Sequence, residues 1–220
     1  MSTPEDVAED FIRKRWVEIQ RDLARLNIVL RPEDIFEPPK AERDLVHVRE
    51  PRESRIGTVV ATDVPHLLNG QVSLEIRETY SFAEMKADPT LDPRLLNYSY
   101  QFSYMPELLI ENRNLLLGTE AKSHWGDLLL TQRRLVRFDG EDQDAWQAKD
   151  LRYRNEHFVN HWHAGPGEFF RWPVQQRPSV LAVASLILFS FRYETWLQMA
   201  RDDVDVLAAT QILLPHVLAA

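Results

Sequence analysis

Gln71-Val72-Ser73-Leu74-Glu75-Ile76-Arg77-Glu78-Thr79-Tyr80-Ser81-Phe82 is the stretch that decides the fold. Val72, Leu74, Ile76, Tyr80 and Phe82 fall on one side of it. Gln71, Ser73, Glu75, Arg77, Thr79 and Ser81 fall on the other. A period of two is the pattern of a strand buried on one face. Leu96 to Met105 repeats the pattern, with Tyr98, Tyr100, Phe102 and Tyr104 opposite Asn97, Ser99, Gln101 and Ser103. Aromatics on one pleat face favour an antiparallel sheet with one packed side. Ile56 to Val64 is β-branched, and Asn69-Gly70 is a turn signal, so a hairpin is expected there. Asp127 to Asp139 and Lys149 to Glu156 read as further strands. Between them lies the acidic loop Asp139-Gly140-Glu141-Asp142-Gln143-Asp144.

Helices flank this sheet. Thr3-Pro4-Glu5-Asp6 has the order of an N-cap, a first-turn proline and first-turn acids. Ile12, Trp16, Ile19, Leu23, Leu26 and Leu30 then recur at alternating spacings of four and three. The stripe predicts a long helix that packs on the chain's own core. The alternative is assembly, with a homodimer formed through the Ile12–Leu30 helix. Pro32, Pro38, Pro39 and Pro51 mark a connector, so residues 1–50 are helix and connector and 51–220 an α+β domain. Glu107 to Gly118 reads as either a helix turn or a strand. Ser179 can cap a helix to about Ala200, and Asp203 a second to about Leu214. The expected class is α+β: an antiparallel β-sheet core with a long N-terminal helix and two C-terminal helices.

Composition narrows the chemistry. The 220 residues hold no cysteine, which excludes disulfides, thiol nucleophiles and cysteine-ligated metals. A net charge of −8 argues against a protein that coats nucleic acid. From Lys149 to Phe191, however, five Lys/Arg face three Asp/Glu, a local reversal of sign. The apolar run from Val180 to Phe191 is too short to span a bilayer. The acidic start is unlike a secretory signal, so a cytoplasmic protein without membrane contact is expected. Glycine-rich phosphate loops, G-x-S-x-G and HExxH are missing.

Candidate chemistry concentrates in Leu151-Arg152-Tyr153-Arg154-Asn155-Glu156-His157 and Phe158-Val159-Asn160-His161-Trp162-His163. These residues hold three of the chain's seven histidines. Imidazole can take and give a proton near neutral pH. Arginine supplies a cationic fork for phosphate. Cutting RNA without a cofactor needs a base, an acid and a cation for the phosphorane. His157 with His161 or His163 can be base and acid, and Arg152 or Arg154 the cation. On a strand, Arg152 and Arg154 share a face. The alternative is a hydrolase whose metal, zinc or manganese, is held by His157, His161 and His163 with Glu156 or Glu168.

The order of three pieces resembles the TumE-type toxins of prokaryotic toxin–antitoxin systems. They are Gln71 to Tyr80, Tyr98-Ser99-Tyr100-Gln101-Phe102, and Leu151 to Asn155 followed by His157 and His161-Trp162-His163. The match is spread over Val72 to His163. The resemblance implies a ribonuclease-type toxin acting on RNA and neutralised by a helix-turn-helix antitoxin. It also implies that Arg77 and Glu78 belong to the family pattern. The chain departs from that pattern in its N-terminal helix, in inserts near 81–94 and 105–150, and in Arg154, where an acid is usual. Arg152-x4-His157 also fits the R-x4-6-H pattern of HEPN ribonucleases, but those are helical bundles. A non-catalytic interaction or defence-associated protein, assembled through the N-terminal helix, is the reading from another class.

Overall fold

The structure, a computed structural model, describes residues 4–29, 40–43, 55–61, 72–84, 88, 91–104, 134–165 and 171–218. The expected turn at Asn69-Gly70, the Glu107 to Gly118 segment and most of the 105–150 insert lie outside them.

Seven strands form one antiparallel sheet in chain order. They are β1 (Lys40–Arg43), β2 (Arg55–Ala61), β3 (Val72–Ser81), β4 (Arg94–Tyr104), β5 (Arg134–Glu141), β6 (Asn160–Gly165) and β7 (Arg171–Pro173). Among the described residues, every neighbour in the sheet is the next strand in sequence. β1 falls inside the stretch read from its prolines as a connector.

The alternation read from the sequence sets the two faces. Leu74, Ile76, Tyr80, Phe82, Tyr98, Tyr100 and Phe102 are all buried on one of them. That face carries the helices. α1 (Pro4–Ala24) packs against β1, β2 and α4 (Val180–Phe191), while α5 (Tyr193–Asp202) and α6 (Val204–Leu218) pack around α4. α4 is buried on nearly all sides, as an all-round apolar helix must be. Ring contacts join the layers: Phe11 meets Tyr80 at 5.0 Å and Phe82 at 5.9 Å, and Phe102 meets Phe191 at 6.4 Å.

The N-terminal stripe is consumed by this core, with Ile12, Ile19, Leu23 and Leu26 all buried within the chain. The helix stops earlier than its stripe suggests. Asn27 adopts φ 57°, the amide of Ile28 donates to Leu23 O and that of Asn27 to Ala24 O. This is a Schellman stop with asparagine in the left-handed position, and Leu23 and Ile28 supply its hydrophobic contact. Arg25 then reaches Asp203 and Asp205 at the start of α6, at 2.6–2.8 Å.

At the C-terminus the helix expected from Ser179 to Ala200 is broken at Arg192 into α4 and α5. Ser179 caps α4 as its sequence position suggests, accepting from Ala182 N.

One expectation is overturned. Lys149 to Glu156 is not a strand. The β5–β6 connection holds two short helices, α2 (Gln143–Gln147) and α3 (Leu151–Glu156). Asp142 accepts from Ala145 N at 3.1 Å and Asp150 from Tyr153 N at 2.8 Å, so each helix starts at an aspartate N-cap. The shared strand face of Arg152 and Arg154 therefore does not exist.

Candidate functional site

β6 builds the site by alternation. Trp162 points to the helix side, stacked against Phe138 at 6.2 Å and Trp172 at 4.6 Å. His161 and His163, one position either side, must project from the opposite, outer face. Residues paired across antiparallel strands share a face. Asp139 pairs with His161, Arg137 with His163, and His163 in turn with Arg171. The result is a compact group of Asp139, His161 and His163. One potential ligand atom from each lies within 4.8 Å of the others.

The group is buried, with His161 9% and His163 2% exposed. His161 Nδ1 lies 2.8 Å from the carbonyl oxygen of Phe158. A carbonyl only accepts, so Nδ1 carries the hydrogen and Nε2 presents a lone pair. Burial lowers the His161 pKa, outweighing the pull of the Phe158 carbonyl, and the charges of His163 and Arg171 lower it further. The neutral ring is the form a metal ligand must take.

His163 Nε2 stands 3.3 Å from Asp139 Oδ2, yet neither ring nitrogen of His163 makes a hydrogen bond. Burial pushes the Asp139 pKa up, but interactions with His163, Ser99 and Arg137 outweigh it and hold the group below the usual carboxylate range. Arg137 Nε donates to Asp139 Oδ2 at 2.5 Å.

The other residues singled out in the sequence are dispersed. His157 follows α3, its ring stacked on Tyr153 at 4.1 Å and edge-on to His161 at 6.3 Å. It stands beside the three-residue group, not in it, so the expected His157/His161/His163 ligand set becomes Asp139/His161/His163. Arg152 has an 89% exposed side chain and meets Glu156 at 3.3 Å on the outside of α3. Arg154 lies over the Trp146 ring at 5.9 Å, its Nε buried without a hydrogen bond. Arg77 is on the outer face, 3.5 Å from Glu75. Its strand partner Ser99 pairs in turn with Asp139, which puts Arg77 two strands from the group.

Glu78 lies on the helix side of the sheet and does not reach the histidines. Assigned to the family pattern by the resemblance, it is 0% exposed. Arg15 holds it with two bonds, Nε to Oε2 at 2.8 Å and Nη2 to Oε1 at 2.7 Å. Arg177 Nη2 donates to Oε1 at 3.0 Å, and the hydroxyls of Tyr80 and Tyr100 donate to the two oxygens. Burial pushes this carboxyl up, but the Arg15 bonds, the Arg177 charge and the Tyr100 hydroxyl overcome it and bring its pKa to about 2. Burial also raises Tyr80, to about 12, and Tyr100. Nothing in this cluster exchanges a proton near neutral pH. It is a structural lock between α1, β3, β4 and the residues before α4.

The sequence does not single out Asp139 or Arg171. Asp139 is expected where a strand meets the acidic loop, and β5 runs on through it to Glu141.

No family model, curated protein or solved structure matches this chain. The TumE-type resemblance stands on its sequence motifs alone. Among the described residues no helix is long and apolar enough to cross a membrane.

Proposed function

We propose that this chain is a metal-dependent hydrolase whose divalent ion is held by Asp139, His161 and His163. The observation that carries the reading is their convergence, which includes a buried imidazole, His163, whose Nδ1 has no hydrogen-bond partner. A buried polar atom without a partner costs about 1–3 kcal/mol. An ion bound there removes that cost. Two imidazole nitrogens and a carboxylate oxygen suit zinc or manganese. Three protein ligands leave room for water, and a bound ion would lower that water's pKa towards neutrality. The support around the ligands fits as well. The Phe158 carbonyl orients His161, and Arg137 with Ser99 orients Asp139.

Purification without chelator, followed by elemental analysis, tests this. One equivalent of zinc or manganese is expected in the wild type, with less than about a tenth of it in His163→Ala or Asp139→Asn. A wild-type protein that carries none, and takes up none in a calorimetric titration with either metal, sinks the proposal.

A second reading is favoured by His157, whose half-buried ring stands edge-on to His161. Two adjacent imidazoles can serve as base and acid in a metal-independent ribonuclease of the TumE type, a cytoplasmic toxin held by an antitoxin. RNA cleavage that survives EDTA, with growth arrest relieved by His157→Ala, is its signature. Intact RNA and normal growth on expression of the wild type remove it.

A further inference from the structure

β7 carries a second unfilled demand beside the first. Arg171 lies directly across from His163 in the β6–β7 pairing, so both side chains leave the outer face. Arg171 Nε is buried and has no hydrogen-bond partner. Among the described residues no carboxylate pairs with Arg171. The nearby candidate, Asp139, is already engaged by Arg137, Ser99 and His163. The charge of Arg171 nonetheless reaches the cluster, since it acts on both His161 and Tyr153.

Two buried nitrogens at adjacent cross-strand positions therefore lack partners, Nε of Arg171 and Nδ1 of His163, while His163 Nε2 meets only Asp139, at 3.3 Å. A buried guanidinium nitrogen without an acceptor is costly. What satisfies a guanidinium beside a metal-type histidine group is an oxyanion. A divalent ion held by the histidine group would add positive charge beside Arg171 and favour a highly charged one.

We infer that Arg171 and the His161/His163 pair form an oxyanion subsite that takes the phosphoryl group of the substrate. This deepens the hydrolase reading, because it names the substrate class of the same site. A phosphoryl group has oxygens enough to meet the guanidinium on one side and the histidine group on the other. Arg171 is then a binding residue that touches substrate, and not a packing residue of an edge strand.

Inorganic phosphate is the probe. Its binding to the full chain is measured by calorimetry, metal-free and after zinc loading. Wild type is expected to bind phosphate more tightly than acetate. Arg171→Gln should weaken phosphate binding by about tenfold or more, the loss of one charge-assisted contact, with metal equivalents unchanged. Arg171→Lys should retain part of the binding.

Equal phosphate affinity in wild type and Arg171→Gln overturns the inference. So does acetate binding as tight as phosphate, or no phosphate binding at all. If Arg171→Gln does not fold, the His161 and His163 ring resonances of the wild type decide. They move on phosphate addition if the subsite exists, and unmoved resonances overturn it. The two proposals fail separately. Arg171-dependent phosphate binding in a chain that takes no metal retains the subsite and rejects the metal. Metal uptake with phosphate binding indifferent to Arg171 does the reverse.

Discussion

The two faces of the sheet bury charge in opposite ways. On the helix side, Glu78 accepts from two arginines and two tyrosines and is wholly enclosed. On the outer side, the Nε of Arg171 and the Nδ1 of His163 are cut off from water without a hydrogen bond, and His163 Nε2 meets only Asp139, at 3.3 Å. Both sites collect conspicuous residues, and the family resemblance puts Glu78 and the histidines in one ordered pattern. Hydrogen-bond satisfaction tells them apart. A completed network is finished as a structural element, whereas buried donors and acceptors left open ask for a ligand.

The helix-side network should dominate stability. Glu78→Gln removes the buried counter-charge of Arg15 and Arg177, leaving Arg15 only its outer contact with Glu18, and breaking a buried pair in this way costs about 3–5 kcal/mol. Urea unfolding measures it. A loss below about 1 kcal/mol would show that Glu78 is not the lock described here. Its pH dependence has a definite sign. The folded pKa lies below the ordinary 4.5, near 2. The stabilisation is therefore complete above about pH 4.5 and is lost as pH falls towards 2. The Glu78→Gln protein should lack this acid limb, while metal uptake on the other face persists.

A smaller effect is expected at Gly140, which joins the two faces. A Cβ there would stand 2.2 Å from Tyr98 Cε1 and 2.6 Å from Asn160 Oδ1. The Tyr98 ring lies against bare backbone, and its hydroxyl donates to that same Asn160 oxygen at 3.1 Å. Gly140→Ala forces both to move, an overpacking cost of about 1–3 kcal/mol. Because Asp139 is the adjacent residue, metal affinity should fall along with thermal stability. Unchanged melting temperature and unchanged affinity would break the link between the faces.

Period-two alternation made β3 and β4 legible, because one face of each is covered by helices. The α1 stripe was legible for the same reason at a different period. Contacts between distant positions were not. Arg15 and Arg177 lie 63 and 99 positions from Glu78, and nothing near Glu78 in sequence announces them. Asp139 reaches the histidines only through the β5–β6 register, which alternation alone does not specify. The α3 error had a visible warning. Asp150 stands where an N-cap belongs, but Leu151, Tyr153 and the arginines between them also alternate like a strand, and over six residues the two periods compete.

On the outer face, His163→Phe separates ligand from scaffold. His163 has only its 3.3 Å contact with Asp139 to lose, a carboxylate that Arg137 and Ser99 also hold, and the substitution keeps a ring of similar volume. Metal-free stability should therefore change by less than about 1 kcal/mol, since apolar replacement of an unsatisfied group is close to neutral. Metal uptake should disappear. A stability loss like that of Glu78→Gln would make the outer group a structural element too and erase the contrast between the faces.

The smallest effect is expected at Arg152, and it bears on which arginine belongs to the chemistry. Its side chain is almost fully exposed, and its partner Glu156, one helical turn away, is half exposed. A surface pair at this spacing contributes about 0.3–0.5 kcal/mol, less in salt. Arg152→Ala should shift stability by no more than that and leave metal and phosphate binding at wild-type values. Arg171, by contrast, was passed over in the sequence because it stands alone among apolar and polar neighbours after Phe170, and it acquires its setting only when β7 pairs with β6. The two substitutions measured together by phosphate titration decide the matter. If Arg152→Ala weakens phosphate binding and Arg171→Gln does not, the functional cation lies on α3 and the edge-strand assignment is wrong.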